Sequence, residues 1–179
     1  MQKGTDVEFK SLLTETEYNK LLDFFGDMKS DFQTNHYFDT ENTDLIQEQT
    51  VLRIRQKCNN YKLTKKTRAL VGADETHIFL SKEKAEEMLK SGFDASIIGL
   101  PYQVSKVAEL TTYRASSHYK NGKIFFDRSE YYGQIDYEIE YEVDEINQGK
   151  KDFKEFLDSH NIEYKESIRK SKRAFDNKR

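Results

Sequence analysis

One short segment of this chain, Gln134–Glu145, alternates acidic and apolar residues as QIDYEIEYEVDE. The acidic positions are Asp136, Glu138, Glu140, Glu142 and Asp144. Successive side chains of a strand point to opposite faces, so the pattern predicts a strand with one apolar face and one acidic face. Carboxylate oxygens are the ligands that Mg²⁺ and Mn²⁺ prefer, which makes the acidic face a candidate metal site.

Two other segments carry basic residues in the same alternating manner. In TVLRIRQK the cations alternate with Leu52 and Ile54, and in YKLTKKT the polar residues again share one parity. The positions on these two sides are Arg53, Arg55, Lys57, Lys62, Thr64 and Lys66. Because Lys and Arg donate charge-assisted hydrogen bonds to phosphate oxygens, both segments are candidate phosphate-binding strands.

Two interpretations fit strands with charged faces. An antiparallel strand with one solvated side often alternates apolar and charged residues, so a surface role explains each face taken alone. In a closed barrel the apolar sides face covering helices, and the charged sides meet inside, where opposite charges must be paired or matched by bound ions. A polyphosphate with its divalent cations needs both signs of charge and suits such an interior.

The remaining elements predict an α+β chain in which short strands predominate. Strands are predicted at TDVEFKSL, NHYFDT, ELTTYRASSHY and KIFFDRSEYYG, and KNGK joins the last two as a hairpin because Asn-Gly supports positive φ. The helix TETEYNKLLDFF has Thr14 and Glu17 at capping-box spacing, and SKEKAEEMLKSG begins at Ser81 and stops at Gly92. A helix near KDFKEFLDSH and a basic tail, YKESIRKSKRAF, complete the chain.

Composition limits the class of protein. The 179 residues suit a single domain over residues 1–179, since one proline and eight glycines mark no linker. The 29 basic and 32 acidic residues leave a net charge of -3, which argues against nucleic-acid binding. A lone Cys58, with no signal peptide or membrane-spanning run, leads us to expect a cytoplasmic protein with no membrane partner. An exposed sheet edge or helix face could support a homodimer.

Five short motifs carry a family resemblance. They are, in order from Asp6 to Phe175, DVEFK for an E-x-E-x-K signature, LRIR for R-x-R, LTKK for a basic strand, YEIEYE for paired E-x-E, and KSKRAF for a C-terminal Ser-Lys element. Together they resemble the CYTH superfamily, the triphosphate tunnel metalloenzymes, which include thiamine triphosphatases, inorganic triphosphatases and class IV adenylate cyclases. The resemblance implies a closed antiparallel barrel of eight strands with covering helices, forming a tunnel that binds a triphosphate.

The resemblance also implies roles for individual positions. The ligands of Mg²⁺ or Mn²⁺ would be Asp6, Glu8, Glu138 and Glu140, with Asp127 in a supporting role. The residues that hold the phosphates would be Lys10, Arg53, Arg55, Lys66, Arg114 and Lys172.

One of these assignments departs from the family pattern, and another has an alternative residue nearby. Asp6 stands where the family has Glu, and its shorter arm must shift the cation or reach it through water, so Glu8 is the stronger candidate. At the C-terminal end, Lys170 competes with Lys172 for the family position.

The acidic strand offers two choices of metal pair. Glu138 with Glu140 and Glu140 with Glu142 both fit E-x-E, and Asp136 shares their face. We prefer Glu138 and Glu140, because they keep the family spacing from Asp127.

The expected function is metal-dependent hydrolysis of a triphosphate, with water attacking the terminal phosphate. One alternative is a class IV adenylate cyclase, in which a ribose hydroxyl attacks the α-phosphorus. A second is a nucleotide- or polyphosphate-binding module without turnover, which only the altered Asp6 motivates. No residue that reads a base or thiazole ring is recognisable, so tripolyphosphate, which needs no such reader, is the expected substrate.

Overall fold

Nine strands and five α-helices lie within the part of the chain described by the computed structural model, which covers the backbone of residues 2–70 and 72–178 and the side chains of residues 7–70 and 72–178. The strands are β1 (Gln2–Leu13), β2 (Lys29–Asp39), β3 (Thr50–Lys57), β4 (Asn60–Arg68), β5 (Ala73–Leu80), β6 (Phe93–Asp94), β7 (Gln103–Tyr119), β8 (Gly122–Tyr131) and β9 (Gln134–Val143). The helices are α1 (Glu15–Phe25), α2 (Asp44–Gln47), α3 (Lys82–Ser91), α4 (Ile146–Ser159) and α5 (Lys170–Asn177), with a 3₁₀ turn at Ala95–Ile98. None of the helices described is both long and apolar enough to cross a membrane.

The chain divides into two units whose segments interleave in sequence. The first unit contains Met1–Thr5, Gln33–Thr111 and Lys170–Arg179, and the second contains Asp6–Phe32 and Thr112–Arg169. Each unit has its own cluster of buried apolar residues. The single domain over residues 1–179 stays a prediction, as does closure of the strands into an eight-stranded barrel.

The first unit is built on an antiparallel sheet in the order β2, β3, β4, β5. Leu52 and Ile54 of β3 and Leu63 of β4 are almost completely buried on one side of it. Met88 of α3 belongs to the same apolar cluster. Arg53 and Arg55 of β3 and Lys62 and Lys66 of β4 therefore project from the other side, as their alternation with apolar residues predicts.

The second unit is built on the antiparallel order β1, β9, β8, β7. Ile139 and Tyr141 of β9 and Phe126 of β8 are buried on one side, in a cluster that also includes Phe153 and Phe156 of α4. The acidic positions of β9 project from the other side. The apolar and acidic faces predicted for this strand are confirmed.

Two predicted helix starts are capped as their sequences indicate. The Thr14 hydroxyl accepts a hydrogen bond from the Glu17 N–H at 3.2 Å, and the Glu17 carboxylate accepts one from the Thr14 N–H at 2.7 Å. The Ser81 hydroxyl accepts from the Lys84 N–H at 3.2 Å. At the other end of α3, Gly92 takes φ 71°, a conformation that glycine adopts without steric cost.

The hairpin between β7 and β8 forms where KNGK predicts it, but glycine has a different role there. The residue with positive φ is Lys120, at 48°. A Cβ at Gly122 would lie 2.5 Å from the Tyr141 ring and 2.6 Å from the Glu142 carbonyl oxygen. Glycine at 122 thus permits a close approach to β9, and the positive φ of this turn lies at Lys120 rather than in the Asn-Gly pair.

Candidate functional site

Three carboxylates come together on the polar side of the second unit. The pairing of β8 with β9 places Asp127 directly beside Glu138, with Glu140 two residues further along the same face. Carboxylate oxygens of the three residues lie within 4.8 Å of one another. Their exposed fractions are 0% for Asp127, 1% for Glu138 and 8% for Glu140. These residues are called the acidic cluster below.

Arg114 of β7 binds two members of the acidic cluster. Its guanidinium donates to Asp127 from Nε at 2.7 Å and from Nη2 at 2.6 Å, and Nη2 also donates to Glu140 at 2.5 Å. Its Cζ lies 4.2 Å from the centroid of the Phe125 ring. Burial acts to lower the pKa of Arg114, but the charges of Glu140 and Asp127 outweigh it and hold that pKa above its usual value.

The third carboxylate has a different partner. The Ser167 hydroxyl, in the segment that follows α4, donates a hydrogen bond to Glu138. Both residues are buried. The Ser167 hydroxyl adds no charge, so its bond to Glu138 differs from the ion pairs that Arg114 forms with Asp127 and Glu140.

This donor set fits a hard divalent cation. Mg²⁺ and Mn²⁺ are bound by carboxylate oxygens, and each carboxylate offers two oxygens with about four lone-pair positions in all. Asp127, Glu138 and Glu140 therefore present the type of oxygen atom that such a cation binds. A cation bound there would also reduce the repulsion between three carboxylates that lie this close together.

Glu8 and Lys10 of β1 lie on the same face as the acidic cluster but are arranged differently. The pairing register puts Lys10 beside Glu140 and Glu8 beside Glu142. Lys10 Nζ lies 3.4 Å from Glu8 Oε1. Glu8 thus lies further along the strand and is not one of the three clustered carboxylates. The side chain of Asp6, the other predicted ligand of this strand, lies outside the described residues.

The remaining carboxylates of β9 distinguish the two possible metal pairs. Asp136 accepts a hydrogen bond from the Tyr131 hydroxyl. Glu142 is exposed, whereas Glu138 and Glu140 are buried with Asp127. The geometry therefore favours Glu138 with Glu140 over Glu140 with Glu142.

The polar side of the first unit gathers the basic residues. The pairing of β3 with β4 places Arg55 beside Lys62, Arg53 beside Thr64 and Val51 beside Lys66. These four cations, Arg53, Arg55, Lys62 and Lys66, are called the basic face below. Arg55 Nε donates to Asn35 Oδ1 of β2 at 3.0 Å, which fixes its guanidinium.

The cations of the basic face repel one another in part. Burial is the largest cause that lowers the pKa of Lys62, and Arg55 and Arg53 lower it further against the opposing effect of Glu75. Within the described residues, the buried Arg53 Nε has no hydrogen-bond partner. A buried donor without an acceptor is costly, so an anion bound here would satisfy it.

A domain profile identifies the family. The CYTH domain matches residues 4–175. The chain belongs to the CYTH family. Its acidic cluster and basic face therefore occupy positions within a CYTH domain.

Individual relatives of this CYTH chain are similar over nearly their whole length. "Putative triphosphatase YjbK" of Bacillus subtilis (strain 168) is 34% identical over 191 residues, which covers 100% of this chain and 98% of the relative. The solved structure of a "putative adenylate cyclase" from Bacillus halodurans superimposes with a TM-score of 0.87 at 30% identity, covering 97% of this chain and 98% of that one. A Hippeastrum protein, a "putative adenylyl cyclase" described as having a dominant triphosphatase activity, has a TM-score of 0.77 at 23% identity, with 96% and 95% covered, and this likeness shows the fold.

In the C-terminal helix α5 of the CYTH chain, Lys170 and Arg173 differ in their surroundings from the predicted Lys172. Lys172 is exposed, and its Nζ bonds Asp176 at 2.6 Å. Lys170 and Arg173 instead act on Tyr37, whose pKa is raised by burial and lowered in part by Arg53, Lys170, Arg55 and Arg173. The structure thus brings Lys170 to the electrostatic surroundings of the basic face and does not bring Lys172 there.

Three residues near the candidate sites were absent from the predicted set: Lys62, Ser167 and Arg173. The parity of Lys62 with Lys66 placed it on the polar side of its strand, and the same signal could have given it a phosphate-binding role. Arg173 follows Lys170 by three residues, the spacing that shares a helix face. No local pattern marks Ser167, because its partner Glu138 is 29 positions away.

Proposed function

We propose that this protein hydrolyses the triphosphate group of a small molecule and requires a divalent cation. The observation that carries the proposal is the acidic cluster, three buried carboxylates with oxygens within 4.8 Å of one another. The basic face supports it, because clustered cations suit the several charges of a triphosphate. The triphosphatase names of relatives agree with this activity.

In this proposal the acidic cluster holds Mg²⁺ or Mn²⁺, with Glu8 as a further candidate ligand and the side chain of Asp6 lying outside the described residues. Such a cation, when bound, neutralises phosphate charge and lowers the pKa of a water molecule. Asp127 and Glu140 hold Arg114 in place, and Ser167 orients the Glu138 carboxylate. These contacts keep the ligand oxygens in a fixed arrangement, which hydrolysis of a bound substrate requires.

The basic face binds phosphate oxygens in this proposal. The Arg53 and Arg55 guanidinium groups have the planar fork that donates two parallel hydrogen bonds to one phosphate. Lys62, Lys66 and Lys170 add positive charge that stabilises the negative charge of the substrate and of the transition state. Lys10 and Arg114 complete the predicted set, whereas Lys172, bonded to Asp176, is replaced by Lys170 and Arg173.

The proposal also includes the barrel, the cellular location and the partners that the sequence predicts. The family implies that the strands close into an eight-stranded tunnel. The lone Cys58 supports a cytoplasmic location. A homodimer, and the absence of nucleic-acid partners, stay predictions from the sequence.

A cyclase is the second candidate, favoured by the name of the Bacillus halodurans structure at 30% identity. Hydrolysis and cyclisation differ in the nucleophile, which is water in the first and a ribose hydroxyl in the second. The products therefore separate them. A module that binds without turnover would give neither product.

The test is a panel of tripolyphosphate, ATP and thiamine triphosphate, each with Mg²⁺, with Mn²⁺ and with a chelator. We expect orthophosphate from at least one substrate with metal and none with chelator. Cyclic nucleotide from ATP without orthophosphate would establish the cyclase instead. Tight binding of all three without any product would contradict both enzymatic proposals.

A further inference from the structure

Phe79 of β5 lies on the charged side of the first unit. Its neighbours Ile78 and Leu80 pack against the apolar cluster of this unit, so Phe79 projects to the opposite side, with Glu75 and His77. Its exposed fraction is 68%. A single exposed apolar residue is common on protein surfaces, so only the groups around Phe79 can indicate a function for it.

The pairing register places Phe79 in one row with cations of the basic face. Phe79 is directly beside Lys62 of β4, and Lys62 is directly beside Arg55 of β3. Neighbouring strands lie about 4.8 Å apart, so the ring of Phe79 is two strand spacings, about 10 Å, from the strand that carries Arg55. A sugar and a phosphate span a gap of this order.

His77 orients the Phe79 ring. Their ring centroids are 5.7 Å apart at an interplanar angle of 82°, an edge-to-face arrangement. His77 Nδ1 lies 4.0 Å from Glu75 Oε1. Because the imidazole meets the ring in this way and the ring remains largely exposed, the ring has open surface for another aromatic group.

We infer that Phe79, supported by His77, is a stacking site for an aromatic ring that is joined through a short linker to the phosphates bound by the basic face. This inference rests on the proposed function and narrows its substrate class. Purine bases and the heterocycles of thiamine share this chemistry, since any aromatic ring has a π-face that stacks on phenylalanine. Tripolyphosphate lacks such a ring and gains nothing from Phe79.

The test compares Phe79→Ala with the wild type on ATP, thiamine triphosphate and tripolyphosphate. We expect kcat/KM for the aromatic substrate to fall about tenfold, equivalent to about 1.4 kcal/mol, and that for tripolyphosphate to stay unchanged. Phe79→Tyr keeps the ring and should retain the wild-type value. The larger loss among ATP and thiamine triphosphate identifies the ring that stacks.

Phe24 provides a matched control in the second unit. It is also a largely exposed phenylalanine, 70% against 68%, and its ring meets His160 edge-on at 4.8 Å. Phe24→Ala should change none of the three substrates. Equal losses for Phe79→Ala on tripolyphosphate and on both aromatic substrates, or no loss on any, would overturn the inference.

The same variants distinguish failure of the stacking inference from failure of the proposed hydrolysis. If the wild type hydrolyses none of the three substrates, the proposed hydrolysis is wrong, and Kd values by calorimetry then decide the stacking site. Weaker binding of ATP or thiamine triphosphate to Phe79→Ala, with tripolyphosphate unchanged, supports it. Equal Kd values for both proteins and all three ligands overturn it.

Discussion

The acidic cluster and the basic face differ in the groups that surround their charged side chains. In the acidic cluster, Arg114 binds Asp127 and Glu140, and Ser167 binds Glu138, so each carboxylate has a partner within its own unit. On the basic face, neighbouring cations lower the pKa of Lys62. Hydrogen bonds therefore hold the carboxylates in position, whereas Lys62 lies near like charges whose effect a bound anion would oppose.

This difference gives substitutions at the two sites opposite expected effects on stability. Removing the Arg114 guanidinium takes an ion-pair partner from the buried Asp127 and Glu140 carboxylates. Loss of one partner from a buried ion pair destabilises a protein. Removing the Lys62 ammonium relieves its repulsion by Arg55 and Arg53 and should spare stability while it weakens phosphate binding. Function and stability should therefore separate at Lys62 and fall together at Arg114.

The largest effect is expected for Arg114→Ala. Loss of one partner from a buried ion pair costs about 3–5 kcal/mol, and we expect the free energy of unfolding in urea to fall by this amount. Arg128→Ala is the control, since its pair with Glu130 is partly exposed, at 33% and 40% of the side chains, and should cost about 1 kcal/mol or less. Equal losses in the two variants would show that Arg114 does not stabilise the acidic cluster.

A smaller change tests the fork geometry of the basic face. Arg55→Lys keeps the charge but loses the parallel pair of hydrogen bonds, so we expect kcat/KM for tripolyphosphate to fall about tenfold or more, or about 1.4 kcal/mol. Thermal unfolding should show a smaller upward shift with tripolyphosphate and Mg²⁺ than the wild type shows. Arg68→Lys, at an exposed position bonded to Gln49, should match the wild type. Wild-type kinetics and shift in Arg55→Lys would remove Arg55 from the site.

The smallest effect concerns Lys62 and depends on pH. Its pKa is below the ordinary 10.5 in the folded protein, so between the two values the unfolded chain holds more protons and stability rises with pH. Below that window the folded protein carries the full repulsion. Lys62→Met should then be as stable as the wild type or more stable by about 1 kcal/mol at most, and this gain should disappear as pH rises through the window.

The control for this prediction is Lys65→Met, on the opposite side of the same strand. It should show no comparable pH-dependent gain. Urea unfolding at several pH values measures both variants, and calorimetry should show weaker tripolyphosphate binding to Lys62→Met. A loss of stability in Lys62→Met at neutral pH would contradict the repulsion on the basic face.

The sequence predicted the polar faces well because strand alternation is a local signal. Leu52 and Ile54 fix the orientation of Arg53 and Arg55, and Ile139 fixes that of its acidic neighbours, without any knowledge of partner strands. Thr14 and Ser81 marked helix starts for the same reason, since the bonds of a cap join residues three apart.

Interactions between distant residues were beyond local patterns. The bond from Ser167 to Glu138 depends on how the segment after α4 returns to β9, which spacing does not reveal. Lys172 was chosen by family position, yet a helix turns about 100° per residue, so Arg173 and not Lys172 shares the side of Lys170. Gly122 looked like a turn residue, and only packing against Tyr141 shows its role.

The most direct test of the central claim compares Glu138→Gln with Glu142→Gln. Both lie on the acidic side of β9, but Glu138 is buried in the acidic cluster and Glu142 is exposed. Mg²⁺ binding by calorimetry and phosphate release from the triphosphate panel are measured on both folded variants. The acidic cluster predicts that Glu138→Gln loses Mg²⁺ binding and turnover while Glu142→Gln keeps them. Wild-type Mg²⁺ binding and turnover in Glu138→Gln would contradict the claim that these carboxylates hold the catalytic cation.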